Sequence, residues 1–153
     1  MSRDLNDLSP VVRPKVDAFL ASCKAAALDV LVTCTLRTMA EQAALYAVGR
    51  TVTGKGQSPA LPMGRVVTRA KPGQSAHNFG MAVDIVPMVS GKPDWEFDQR
   101  FPDPAWSKVG RLGMLAGLRW YGAPDAPFVE GCHFEQPDWR ALCPPTPTET
   151  PSP

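Results

Sequence analysis

The sequence predicts an α+β fold, with helices packed on one side of a small, mainly antiparallel sheet. Three observations carry that expectation. Some segments repeat their apolar residues at helical spacing, while others are short, β-branched and strand-like. The chain has 153 residues, 44% hydrophobic and 20% charged, which suits one domain with a core that needs no staples.

The first expected helix covers residues 8–29, "LSPVVRPKVDAFLASCKAAALD". Ser9 is placed to cap it, Pro10 suits a first turn, and Val12, Val16, Phe19, Leu20 and Cys23 recur at helical spacing. "VLVTCTLR" follows as a buried strand ending at Arg37. In "TMAEQAALYAVGR", Thr38 and Glu41 form a capping-box pattern and Gly49 marks the stop. Residues 51–73 show little periodicity and read as a long loop of the functional or mobile kind. "MAVDIVPM" is a strand with Met81, Val83 and Ile85 on one face and Ala82, Asp84 and Val86 on the other. "DPAWSKVGRLGMLAG" is a helix capped by Asp103, with Pro104 in its first turn and Gly117 as its stop. "LRWYG" and "HFE" read as two short strands. Residues 1–143 therefore make one domain, and the proline-rich 144–153 is expected to be a disordered tail.

Net charge is +1, so nothing global points to a nucleic-acid partner. Its distribution is less even. Between Glu41 and Asp84 there is no acidic residue, yet Arg50, Lys55, Arg65, Arg69 and Lys71 fall there. That stretch is either a solvated basic loop or an electropositive rim for a substrate carrying carboxylates. The opening "MSRDLNDLSPVVRPK" lacks the apolar core of a secretory signal, and no stretch approaches the ~20 apolar residues of a membrane span. A soluble cytosolic protein without stable membrane insertion is expected. The four cysteines lack the close pairing of a structural zinc site and read as free thiols, with Cys23 and Cys34 in the core. A Cys132–Cys143 disulfide is the open alternative.

The two histidines keep telling company. A turn over Asn78–Gly80 folds His77 back beside the strand that carries Asp84, and Ala82 leaves that face uncrowded. A buried, unpaired carboxylate is very costly unless a cation or hydrogen bonds compensate it, and a divalent metal is one such compensation. His77, Asp84 and His133 make a three-ligand set with a fourth position open to water. Glu130 lies three residues before His133, so a turn at Gly131 is needed to bring its carboxylate to that water. Glu135 shares a strand face with His133, either orienting the imidazole or standing exposed. Cys132 should point away. No HExxH helix and no G-x-S-x-G elbow is present.

Ser75-x-His77-x-x-Gly80-x-Ala82-x-Asp84, followed by Glu130-x-x-His133, resembles the zinc peptidases that cut bacterial cell-wall peptides. These are the D-alanyl-D-alanine carboxypeptidases and L-alanyl-D-glutamate endopeptidases, in a wider superfamily with lysostaphin and hedgehog domains. The resemblance spans about residues 8–137, and "LYAVGR" and "KPGQSAHNFG" look most like the endopeptidases found as bacteriophage endolysins. It implies a hedgehog-like, D-Ala-D-Ala-peptidase-like fold and Zn2+ on His77, Asp84 and His133. It also implies Glu130 as catalytic base and then acid, Arg37 as the group that steadies the oxyanion or a substrate carboxylate, and Ser75 as close support. Without the resemblance, Arg37 reads equally as a strand-end salt bridge. Phe79, Trp120 and Tyr121 either line a peptide groove or pack in the core. The implied function is hydrolysis of the L-alanyl-D-glutamate bond of peptidoglycan stem peptides during host lysis. The alternatives are a D-alanyl-D-alanine carboxypeptidase and a non-catalytic zinc- or wall-binding module. The enzyme is expected to be a monomer waiting in the host bacterial cytoplasm, and to reach the periplasmic wall after a holin-type partner permeabilises the membrane. Two departures stand out. Glu130 is commoner among the D,D-carboxypeptidases, the phage endopeptidases usually having Asp there. Where Trp-Gly-Gly is expected, this chain has Trp120, Tyr121 and Gly122.

Overall fold

The computed structural model describes residues 1–51 and 66–143. Four helices are present among them: α1 (Arg13–Ala25), α2 (Met39–Ala47), α3 (Pro104–Leu115) and α4 (Trp139–Leu142). Five strands accompany them: β1 (Val30–Cys34), β2 (Ala82–Val89), β3 (Lys92–Pro93), β4 (Arg119–Trp120) and β5 (His133–Glu135). The sheet runs β1-β2-β5-β4, with β3 hairpinned onto the far end of β2, and every pairing is antiparallel. The α+β expectation holds. The expected tail and residues 52–65 of the expected loop lie outside the described residues.

The core forms because α1 and α3 press their apolar stripes onto one face of the sheet. Val12, Val16, Phe19 and Cys23 meet Val109 from α3, Val83 and Ile85 from β2, and Phe134 from β5. Each large side chain buried this way contributes about 1.5–3 kcal/mol. The other face of β2 is buried as well, including Ala82, Asp84 and Val86. It carries the site.

Three boundaries differ from the expectation, each for a structural reason. Regular α1 begins at Arg13 with Pro14 in its first turn. The preceding turn hangs on Ser9, whose carbonyl accepts from Val12 and Arg13 and whose hydroxyl accepts from the Val11 amide. Its end comes at Ala25, because Ala27 takes the left-handed conformation (φ 52°) and the Leu28 amide reaches back to the Cys23 carbonyl. Glycine usually marks such a stop, and none is there to read. Strand β1 ends at Cys34 rather than Arg37. A bulge at Thr33 breaks its register with β2: Val32 pairs with Ile85, but Cys34 pairs with Asp84. One extra residue flips the parity that follows. Cys34 thereby moves from the core face to the site face, and the next backbone groups bond elsewhere. Thr35 and Leu36 pair with Ser2, and the Arg37 amide donates to the His77 carbonyl.

The remaining signals match. Thr38 and Glu41 make the reciprocal capping box of α2, and Asp103 accepts from the Ala105 and Trp106 amides at the start of α3. No helix among the described residues is long and apolar enough to cross a membrane.

Candidate metal centre and its groove

His77 sits in a 3-10 turn, Ala76–Phe79, that ends at Gly80 in the left-handed conformation (φ 63°). The turn is clipped to the end of β1. The Arg37 amide donates to the His77 carbonyl at 3.0 Å, and Asn78 Nδ2 donates to the Arg37 carbonyl at 2.8 Å. Gly80 is needed twice over: for its positive φ, and because a Cβ there would lie 2.6 Å from the Asp7 carbonyl oxygen. The fold-back expected for His77 is therefore present. Asp84 and His133 come together by sheet register, since they face each other directly across the β2–β5 pair.

The three side chains meet at one point. His77 Nε2 lies 3.1 Å from Asp84 Oδ1, His133 Nδ1 lies 3.1 Å from the same oxygen, and the two nitrogens are 3.2 Å apart. The outward ring nitrogens settle the tautomers. His77 Nδ1 lies 3.0 Å from the Thr35 carbonyl, which can only accept, so this nitrogen carries a proton. His133 Nε2 lies 3.1 Å from Glu135 Oε2, so it too is the protonated nitrogen. In the neutral rings, Nε2 of His77 and Nδ1 of His133 then both point lone pairs at a carboxylate oxygen. Three lone-pair atoms facing one another in a buried site require a proton or a cation between them. A tetrahedral ion with bonds of about 2.0–2.1 Å needs ligand–ligand edges of about 3.3–3.4 Å. The observed triangle, 3.1, 3.1 and 3.2 Å, falls short by only a few tenths of an ångström. The site fits a metal.

Electrostatics agree in direction. Burial opposes a charged His77, but the Asp84 carboxylate outweighs it and holds the imidazole up at about 10. His133 is likewise opposed by burial and raised by Asp84 and Glu135 to about 9. Burial pushes Asp84 up, and the two imidazoles more than reverse this, leaving it well below the usual carboxylate range. The anion is thus held ionised for whichever cation, proton or metal, shares the pocket.

The tripod opens onto a groove of about 1240 Å3, whose walls include Arg37, Ser75, Tyr121, Glu130 and Arg140. Glu130 is brought to that groove by the expected turn, its carbonyl accepting from the His133 amide at 3.1 Å. Gly131 serves the turn by yielding space rather than by unusual φ, because a Cβ there would lie 2.4 Å from the Phe97 ring. The Glu130 side chain is exposed and makes no hydrogen bond among the described residues. Ser75 is half-buried on the wall, two residues from His77, and its hydroxyl makes no hydrogen bond among the described residues.

Arg37 has no carboxylate partner among the described residues, so the strand-end salt bridge is not what it makes. Its Nη1 donates to Gln42 Oε1 at 3.0 Å, and Gln42, fully buried, is anchored by donating to the Ala70 carbonyl at 2.7 Å. Arg69 and Arg140 also line the groove without an ion pair among the described residues. Glu135 is buried and bonded, not exposed. Of the aromatic candidates, Trp120 belongs to the core, while Phe79 and Tyr121 border the groove.

Sequence reasoning missed two neighbours of the site. Gln42 belongs to the stretch "LRTMAEQAALYAVGR" that shares in the resemblance, but nothing in its spacing gives it a role beside Arg37. Cys34, expected as core, is buried with Sγ 3.5 Å from His77 Nδ1, and with His77 and Asp84 it forms a cluster able to hold a metal. The bulge that turns it there has no sequence signature. All four cysteines are free, and Cys132 is half-buried with its thiol pushed up by burial and by the charges of Asp84 and Glu130.

A small antiparallel sheet presenting a buried two-histidine, one-aspartate tripod to an open groove makes a site whose geometry fits a metal ion. Comparison with known proteins narrows the class. Residues 5–109 match the VanY family model, described as D-alanyl-D-alanine carboxypeptidase, and the chain belongs to that family. It is 30% identical over 121 residues to the peptidoglycan L-alanyl-D-glutamate endopeptidase CwlK of Bacillus subtilis (strain 168), covering 76% of this chain and 66% of CwlK. The chain thus spans about two thirds of that relative's length. Among solved structures, the fold is similar to that of the Serratia marcescens L-Ala D-Glu endopeptidase ChiX, with TM-score 0.60 and 21% identity over 90% of this chain and 86% of ChiX. It is also similar to a mutant of the vancomycin resistance D,D-pentapeptidase VanY in complex with Zn(II), with TM-score 0.51 and 20% identity over 84% of this chain and 72% of that one.

Proposed function

We propose that this chain is a zinc peptidase that hydrolyses the L-alanyl-D-glutamate bond of peptidoglycan stem peptides. The observation that carries the chemistry is the triangle of His77 Nε2, Asp84 Oδ1 and His133 Nδ1, with Glu130 on the groove it faces. The choice of bond is supported by the likeness to CwlK. Three guanidinium groups that form no ion pair among the described residues, Arg37, Arg69 and Arg140, suit a groove for a peptide that carries carboxylates.

Zinc held by the tripod supplies a Lewis acid and a water acidic enough to attack near neutral pH. Glu130 takes the proton from the attacking water and returns it to the leaving amine as the C–N bond breaks. Arg37, braced by Gln42, donates to the carbonyl oxygen as negative charge develops there. Glu135 keeps His133 turned so that Nδ1 faces the ion. A second reading, removal of a terminal D-alanine, is favoured by the family description and by glutamate at position 130. The wider setting we propose is host lysis by a phage enzyme, released from the cytoplasm by a holin-type partner. It rests on the endolysin resemblance of "LYAVGR" and "KPGQSAHNFG".

The test is mass spectrometry of products released from purified Gram-negative peptidoglycan, with and without chelator. Chelator-sensitive peptides with a new N-terminal D-Glu are expected, and free D-alanine would transfer the chain to the second reading. Glu130→Ala should retain zinc and lose 10²–10⁴-fold in turnover. Unchanged turnover would remove Glu130 from the mechanism.

A further inference from the structure

His133 offers Nδ1 to the tripod only while its other nitrogen is occupied, and Glu135 Oε2 occupies it at 3.1 Å. Glu135 is itself buried, so its second oxygen needs a donor as well. Tyr121 provides one, with Oη donating to Glu135 Oε1 at 2.6 Å. A buried carboxylate tied at both oxygens has one orientation; tied at one, it can swing. The Tyr121 ring also stands edge-on to His133, with centroids 4.9 Å apart, and is backed by Phe128 at 4.6 Å. The Tyr121 amide donates to the His133 carbonyl at 3.0 Å. Tyr121 therefore grips His133 through backbone, ring and carboxylate.

We propose that Tyr121 is a positioning residue whose hydroxyl locks Glu135, so that His133 is held with Nδ1 toward the ion and the site gains zinc affinity. This rests on the zinc reading of the site. The groove wall formed by the Tyr121 ring is a separate matter, since Tyr121→Phe keeps the ring and removes only the donor.

The experiment compares zinc affinity of wild type, Tyr121→Phe, Glu135→Gln and the double variant, by competition with a chromophoric chelator at fixed pH. Thermal melts of the metal-free proteins check folding. Tyr121→Phe should bind zinc on the order of 10-fold more weakly, the low end for losing an outer partner of a ligand. The double variant should bind no more weakly than Glu135→Gln alone, because Tyr121 acts through Glu135. Equal affinity of Tyr121→Phe and wild type would overturn the proposal, as would additive losses in the double variant. Wild type that takes up no zinc would sink the peptidase reading itself, which separates the two failures.

Discussion

Gly80 is where the ligand turn meets the N-terminal segment, and replacing it with alanine isolates what that meeting is worth. Its φ of 63° is left-handed, and a Cβ would stand 2.6 Å from the Asp7 carbonyl oxygen and 2.9 Å from the Ser9 amide nitrogen. Both are backbone atoms, so no side chain can swing aside. The left-handed conformation costs a non-glycine residue about 1–2 kcal/mol. Overpacking against fixed atoms adds about 1–3 kcal/mol, for a total of about 2–5 kcal/mol. Gly91 is the internal control: its φ is 75°, but nothing lies within 4 Å of an added Cβ. Gly91→Ala should therefore lose only the conformational part, about 1–2 kcal/mol. At roughly 2–4 °C per kcal/mol for a chain of this size, Tm should fall about 4–20 °C for Gly80→Ala and about 2–8 °C for Gly91→Ala. Urea unfolding of the metal-free proteins, with m-values compared, gives the difference directly. Equal losses at the two positions would refute the argument that the N-terminal segment is packed against the ligand turn tightly enough to matter.

Two other outcomes are expected. At pH 7, His77 and His133 lie below their raised values of about 10 and about 9, so the metal-free imidazoles hold protons that zinc must displace. Zinc affinity should rise with pH and flatten above those values, and calorimetry in buffers of different ionisation enthalpy should show proton release. A pH-independent affinity between pH 6 and 9 would contradict this. Thr38→Ala removes the capping-box hydroxyl that accepts from Glu41 and should cost about 0.5–2 kcal/mol in chemical unfolding with zinc affinity intact. A loss of zinc would mean that α2 braces the tripod more directly than the contacts show.

Much of the chain was legible because its signals are local. The Thr38–Glu41 box, Asp103 with Pro104, the stop at Gly117 and the apolar run of β2 all act between residues a few positions apart. The misread boundaries were those without a local mark. Ala27 adopts a glycine-like conformation, and the Thr33 bulge arises from pairing with a strand some fifty residues away, as does the placement of Cys34 beside His77.

The site divides along the same line. The spacing of His77, Asp84, Glu130 and His133, and the turn residues Gly80 and Gly131 beside them, made a candidate set readable from the sequence alone, because few other arrangements tolerate a carboxylate in an apolar strand, and three of its members, His77, Asp84 and His133, do meet. Only the tertiary structure decided which ring nitrogens face Asp84, that Gln42 rather than an acid holds Arg37 among the described residues, and that Tyr121 closes the chain of bonds behind His133. Those features depend on register and on contacts between distant segments. A sequence can name the atoms available for such contacts, but the packing of α1 and α3 on the sheet sets the distances at which they meet.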